Sequence, residues 1–176
     1  MSATPPLLII CMGVSGCGKS TLGSHVAAQL RAVFVDADDF HDAENRAQMS
    51  AGVGLTDEQR AGWMDVVCAE LLERSRSGSP CVLAHSALHK INRERLRQCG
   101  FRTLFLHMDI DVSVVTERVS KRRGHFVSAA FVPSQFASLE STSDEGDVVV
   151  LDGQSDLDSL RHQALTQIRR IQSRVV

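Results

Sequence analysis

The sequence predicts an α/β fold in three layers, a parallel five-stranded sheet covered by helices on both faces. Two observations carry this. Short apolar runs alternate with helical patterns along the 176 residues, and strands alternating with helices imply right-handed crossovers and so a parallel sheet. The first apolar run, Leu7 to Met12, leads straight into Gly13-Val14-Ser15-Gly16-Cys17-Gly18-Lys19-Ser20 and then into a helical pattern of Leu22, Val26 and Leu30. A G-x-x-x-x-G-K-S loop in that position is a phosphate-binding loop. The length suits a single domain spanning 1–176.

The remaining elements follow in order. Helix one is expected from about Lys19 to Leu30, with Gly23 and Ala27 small enough to let it approach the sheet closely. A short strand at Val33 to Val35 ends in Asp36-Ala37-Asp38-Asp39-Phe40-His41. Asp42 can cap the next helix, which runs to about Met49. Thr56-Asp57-Glu58 opens a longer helix to about Arg76, with Trp63, Val67 and Leu71 on one face. A third strand, Cys81 to Ala84, precedes the polar turn His85-Ser86-Ala87 and a basic helix carrying Lys90, Arg93, Arg95 and Arg97. Thr103 to Met108 is a fourth strand, and Asp111 starts a helix ending in Arg118, Lys121, Arg122, Arg123 and Gly124. From His125 to about Gly146 the pattern is irregular and Ser-rich, which suits a mobile cover, a lid over about 122–146. Val148 to Leu151 is the fifth strand. The last helix sets Leu157, Leu160, Ala164, Ile168 and Ile171 on one stripe, with Arg161, Arg169, Arg170 and Arg174 on a solvated face.

Composition excludes several classes. A net charge of −2 supplies no basic field for nucleic acid. No apolar run approaches the roughly 20 residues of a membrane span, and no charged-then-apolar leader opens the chain, so a cytoplasmic location is expected. Five scattered cysteines without C-x-x-C spacing read as buried thiols and not as metal ligands or disulfides.

In open parallel sheets ligands sit at the carboxyl ends of the strands. The polar residues after each strand should therefore converge on one cleft. In the phosphate loop, the backbone N–H groups from Gly13, Val14, Ser15, Gly16, Cys17 and Gly18 through to Thr21 turn around a nucleotide's β-phosphate, Lys19 bridges β- and γ-phosphates and Ser20 ligates Mg²⁺. Phosphoryl transfer also needs a metal-binding acid, a base for the attacking hydroxyl and cations over the γ-phosphoryl. Asp36 and Asp38, two apart at a strand end, are expected on one side, Asp36 in the Mg²⁺ shell and Asp38 on the acceptor hydroxyl. Arg118, Lys121, Arg122 and Arg123 are expected to close over ATP, with Arg118 and Arg122 on the nucleotide.

Across nearly its whole length the chain resembles the gluconokinase family of small P-loop kinases, related to shikimate and adenylate kinases. The phosphate loop carries part of the likeness. A more specific part is Asp36-Ala37-Asp38-Asp39-Phe40-His41 with Glu44-Asn45-Arg46, Met49, Gly52, Leu55, Asp57, Arg60 and Trp63. Ser86-Ala87-Leu88 with Lys90 and Arg93 forms a third block. A fourth is Arg122-Arg123-Gly124-His125-Phe126 with Ser134-Gln135-Phe136 and Leu139-Glu140, similar to the family's lid and the helix after it.

The resemblance implies a P-loop NTPase fold of the nucleoside-monophosphate-kinase type with a helical lid, and transfer of the ATP γ-phosphoryl to the 6-hydroxyl of D-gluconate. It further implies a catalytic role for Lys19, Asp38 and Arg122, and a homodimer. Binding a polyhydroxy acid calls for acids, histidines and a cation. Asp38, His41, Arg46, Arg60, Lys90, His125 and Gln135 supply that set. The chain departs from the family pattern at His89 and Asn92, where lysine and tyrosine are usual, and has Gly54, Gly62, Ser141 and Thr142 where prolines are usual. Two alternatives stand beside this reading: a kinase for another small acid such as shikimate, and a nucleotide-binding regulator without catalysis. The Gly124-His125-Phe126 and Ser134-Gln135-Phe136 blocks speak against the first, and intact Lys19, Ser20, Asp36 and Asp38 against the second.

Overall fold

A computed structural model describes residues 4–121 and 129–173. Its strands are β1 (Leu7–Met12), β2 (Val33–Asp36), β3 (Cys81–Ala84), β4 (Arg102–Asp109) and β5 (Val148–Asp152). Its helices are α1 (Lys19–Leu30), α2 (Ala43–Ser50), α3 (Asp57–Ser75), α4 (Lys90–Arg97), α5 (Val112–Lys121), α6 (Val132–Ser138) and α7 (Leu157–Ser173). All strand pairings are parallel, in the order β2-β3-β1-β4-β5. The chain leaves central β1 toward β2 and β3, then crosses to β4 and β5 on the other side. That reversal opens a cleft at the carboxyl end of β1.

Every residue of β1 is buried, which is why it reads as an unbroken apolar run and not as an alternating one. Its side chains still divide by parity. Leu7, Ile9 and Cys11 join the core formed with α1, α5 and α7, whereas Leu8, Ile10 and Met12 join the core formed with α3 and α4. These two cores make the three layers. On the α1 side, a Cβ at Gly23 would lie 2.7 Å from the Phe34 ring, so this helix can approach the sheet only through glycine. At α3, the Thr56 hydroxyl accepts from the Gln59 amide and the Gln59 side chain accepts from the Thr56 amide, closing a capping box. Asp42 caps α2 by accepting from the Asn45 amide.

Three features differ from the sequence reading. The strand β2 runs on to Asp36 and is followed by a 3-10 turn, Ala37–Phe40, so Asp38 is not a strand residue. The stretch read as irregular contains a turn at Ala129–Phe131 and the helix α6, started by Pro133 in its first turn and anchored by fully buried Val132. Arg93, taken as one of several cations on a basic helix, is fully buried. Its Nε and Nη2 donate to the Glu145 carboxylate at 2.6 to 3.0 Å, and its Nη1 donates to the carbonyls of Ala87 and Leu88. A second cation, Arg97, meets Glu145 and Asp147. This network fastens the segment entering β5 to α4 and to the turn after β3.

Candidate active site

The phosphate loop joins β1 to α1 around positive-φ glycines at 13, 16 and 18. At Gly16, φ is +85° and a Cβ would sit 2.6 Å from Val119 Cγ2, so both backbone and space demand glycine. Gly18 occupies the N-cap of α1 in the left-handed region, which turns the amides of that helix's first turn toward the loop. Lys19 folds back over the loop, its Nζ donating to the Val14 carbonyl at 3.1 Å.

A cavity of about 460 Å³ opens above this loop. Ser15, Gly16, Cys17, Gly18, Lys19, Ser20 and Thr21 line one wall, Asp38 another, and Arg118 with Ser155, Asp156, Leu157 and Leu160 the far end. Its volume falls within the range of small-molecule sites. The sequence-predicted residues of the phosphate loop, Asp38 and Arg118 thus meet in one space. Arg118 also donates to the Gly153 carbonyl, tying α5 to the loop after β5.

Asp36 and Asp38 share the site by a route other than strand alternation. The Asp36 carboxylate accepts from the Ser20 hydroxyl at 2.5 Å and from the Asp38 amide at 3.1 Å. Capping the 3-10 turn in this way aims the turn into the cavity, and Asp38 reaches the phosphate loop as a turn residue. Arg46 reinforces the turn from behind, its Nε and Nη2 donating to the carbonyls of His41 and Asp38. Beneath the turn lies a stack of three rings. Trp63 packs between His41 and His85, with centroids 4.3 and 4.6 Å apart, and its Nε1 donates to the Ala37 carbonyl. Burial, and then the Lys19 charge, pushes the His85 imidazole down to about 3. It is therefore neutral, with Nδ1 accepting from the Ala87 amide and Nε2 facing the Met64 sulfur. His41 is lowered by burial against the raising effect of Asp38, whose carboxylate stands 3.8 Å away.

Apart from Asp38, none of the expected acceptor residues that are described lines this cavity. Arg60 donates to the Leu55 carbonyl, and its buried Nε has no hydrogen-bond partner among the described residues. Nearby His89 is lowered first by burial and then by the Arg60 charge, and its buried Nε2 likewise has no such partner. Lys90 begins α4 and is exposed. Gln135 has a partner other than the expected one: its Oε1 accepts from the Ser15 amide of the phosphate loop at 2.6 Å. Arg122 and His125 lie outside the described residues.

Sequence reasoning missed the far wall of the cavity, residues 155–160. The rule that drew attention to polar residues after the other strands, applied to β5, points there. Trp63 was read on the apolar face of its helix and in the block resembling the family, whereas its stacking between His41 and His85 was not foreseen.

A parallel sheet of this order, with a phosphate loop and a carboxylate sharing a cavity at the carboxyl end of β1, defines a P-loop phosphotransferase. Comparison with known proteins is consistent with this and narrows it. Residues 8–142 match a family described as an AAA domain. Gluconokinase of Gluconobacter oxydans is 36% identical over 153 residues, covering 87% of this chain and 86% of its own. Among solved structures, a gluconokinase from Sinorhizobium meliloti superposes with a TM-score of 0.84 at 31% identity, covering 99% of this chain and 97% of its own. An unliganded sugar kinase from a Janibacter species gives 0.87 at 37% identity, covering 94% of this chain and 95% of its own. The chain belongs to the gluconokinase family.

Proposed function

We propose that the chain transfers the γ-phosphoryl group of ATP to the 6-hydroxyl of D-gluconate, releasing ADP and 6-phospho-D-gluconate. The observation that carries the reading is that Asp38 and the phosphate loop line one cavity. Phosphoryl transfer leaves little covalent work to the protein, so position and charge dominate. The loop amides and Lys19 take the β- and γ-phosphates. To reach them, Lys19 Nζ gives up the Val14 carbonyl. Asp38 accepts the hydroxyl proton of the acceptor as its oxygen attacks the γ-phosphorus and the bond to the ADP oxygen breaks. Arg118 and the 155–160 wall suit the nucleoside end of ATP, a cation and an apolar floor for charge and ring respectively.

The pairing of the Ser20 hydroxyl with the Asp36 carboxylate fits a Mg²⁺ site, because a hard cation takes oxygen donors and this pair stands at the foot of the phosphate loop. Ser20 would hold the ion directly and Asp36 through its water. Bound with ATP, the ion neutralises charge on the β- and γ-phosphates.

On the acceptor side, the buried Arg60 Nε–H and the His89 ring nitrogen Nε2 lack hydrogen-bond partners among the described residues and suit the carboxylate and hydroxyls of a sugar acid. His41, Arg46 and Lys90 belong to the same proposed acceptor set, as do Arg122 and His125, which lie outside the described residues. No helix of the described residues is long and apolar enough to cross a membrane. A cytoplasmic location and a homodimer belong to the same proposal, the latter tested by light scattering.

The deciding experiment is an ADP-release assay with Mg·ATP against D-gluconate, other sugar acids and shikimate. Turnover confined to D-gluconate is the expected result. Turnover with a different acid would keep the mechanism and overturn the acceptor. ATP binding with no turnover on any of them would overturn the enzyme reading.

A further inference from the structure

Gln135 stands 120 residues from Ser15 in sequence, yet its carboxamide oxygen accepts the Ser15 amide at 2.6 Å, and the side chain is buried, with 9% of the residue exposed. The helix carrying it is well anchored. Val132 is fully buried in the core that contains α5, the Ser134 hydroxyl caps back onto the Phe131 carbonyl, and just past the helix the Glu140 amide donates to the Leu88 carbonyl. So α6 bridges the phosphate loop and the turn after β3. The first half of the loop is held from that side twice, since the Gly13 amide donates to the Ser86 carbonyl at 3.2 Å. Both holds fall on residues before the amides of the first turn of α1, and Ser15 lines the same cavity as Asp38.

We infer that Gln135 is a positioning residue of the phosphate loop and not an acceptor ligand: its carboxamide oxygen fixes the Ser15 backbone, and so sets the loop's edge where the γ-phosphoryl must meet the acceptor hydroxyl. The inference rests on the phosphotransfer reading. Its physical basis is that an in-line transfer tolerates little misplacement, with about 1 Å enough to lower the rate a hundredfold. A side chain that binds substrate and transition state alike would alter KM; one that fixes geometry alters kcat.

The test uses Gln135→Met, close in size but without an acceptor oxygen, and Gln135→Glu, which keeps that oxygen. Amide hydrogen exchange at Ser15 is read on the full chain without substrates, followed by kcat, KM for each substrate and the thermal midpoint. For Gln135→Met the expectation is Ser15 exchange about tenfold faster, kcat lowered about tenfold or more with KM for D-gluconate within about twofold, and a midpoint within about 4 °C of wild type. For Gln135→Glu, Ser15 protection is retained and kcat exceeds that of the methionine variant. A rise in the KM for D-gluconate with kcat intact would overturn the inference, as would unchanged exchange in Gln135→Met. If the methionine variant fails to fold, the glutamate variant decides: slow Ser15 exchange supports the inference and fast exchange overturns it. Should wild type turn over no sugar acid, the proposed reaction fails, whereas the exchange at Ser15, measured without acceptor, still decides the hold by Gln135.

Discussion

Replacing Glu145 by alanine removes the counter-ion of a guanidinium that has no access to water. The Arg93 side chain is 0% exposed and that of Glu145 6%. Three charge-assisted contacts of 2.6 to 3.0 Å vanish with the carboxylate, while the carbonyls of Ala87, Leu88 and Ser141 continue to accept from Arg93. Breaking a buried pair from one side is usually worth 3–5 kcal/mol; because those carbonyls remain, we take the lower end, about 3 kcal/mol. For a chain of this size that lowers the thermal midpoint by roughly 6–12 °C. Glu145→Gln, which keeps an acceptor oxygen but no charge, should fall between wild type and Glu145→Ala. The sign of the pH dependence follows from the carboxyl. Burial raises the Glu145 pKa, but hydrogen bonds from Arg93 and Arg97 outweigh it and hold the group below the usual carboxylate range. Its contribution is therefore complete above the unfolded-state pKa and lost as pH falls through the folded one. Urea unfolding at neutral pH and in acid measures both effects. A loss under about 1 kcal/mol at neutral pH, the size of an exposed pair, would refute the reasoning.

Asp38→Asn should retain ATP affinity and lose turnover by about 10²- to 10⁴-fold, measured by fluorescent-nucleotide titration and ADP release; wild-type rates would remove Asp38 from the proton transfer. Gly16→Ala forces a side chain into φ +85° against Val119, so ATP affinity should drop about tenfold, in keeping with 1–2 kcal/mol of left-handed strain; binding within about twofold of wild type would show that the loop yields. His85, neutral in the native chain with its pKa near 3, takes a proton in the unfolded state first. Stability from this group is complete above the unfolded value and drains as pH falls from there toward 3, by about 1.4 kcal/mol per pH unit at most. Unfolding of His85→Gln should therefore depend less on pH between 7 and 5, and an unchanged slope would contradict a buried neutral imidazole.

What was legible in the sequence was what depends on neighbours in the chain. Leu7 to Met12 followed by the glycine loop needs no distant residue to be read, because six consecutive apolar side chains require burial on both faces. The caps at Asp42 and Thr56 are local for the same reason. Residues whose roles depend on partners far along the chain were read less well. Arg93 read only as one cation of a basic helix, because nothing near it marks Glu145, 52 residues on, as its counter-ion. Gln135 fits a substrate ligand by type, and only folding brings it to Ser15. For Asp36 and Asp38 the geometry differs from the expected strand alternation: Asp38 lines the cavity and Asp36 bonds the Ser20 hydroxyl. Strand parity does not apply once the chain turns at Ala37, and the capping bond from the Asp38 amide to Asp36 does the aiming instead.

These long-range contacts make the phosphate-loop side of the cavity rigid. Gly13 and Ser15 are held by Ser86 and Gln135, and Asp36 is held by Ser20, so the nucleotide side is fixed by bonds between backbone amides, short side chains and one buried carboxamide. The turn bearing Asp38 is fixed as well, with Arg46 on its carbonyls and Trp63 stacked beneath it between two histidines. Arg60 and His89, which do not line that cavity, each keep a buried nitrogen without a hydrogen-bond partner among the described residues, and Lys90 is exposed. Buried polar nitrogens without partners are costly, and a ligand whose polar atoms reach them offsets that cost. In the proposed reaction, acceptor choice can change at residues such as 60, 89 and 90 with little effect on the geometry of transfer, and on that proposal His89 can stand where lysine is usual in the family while the phosphate loop is kept.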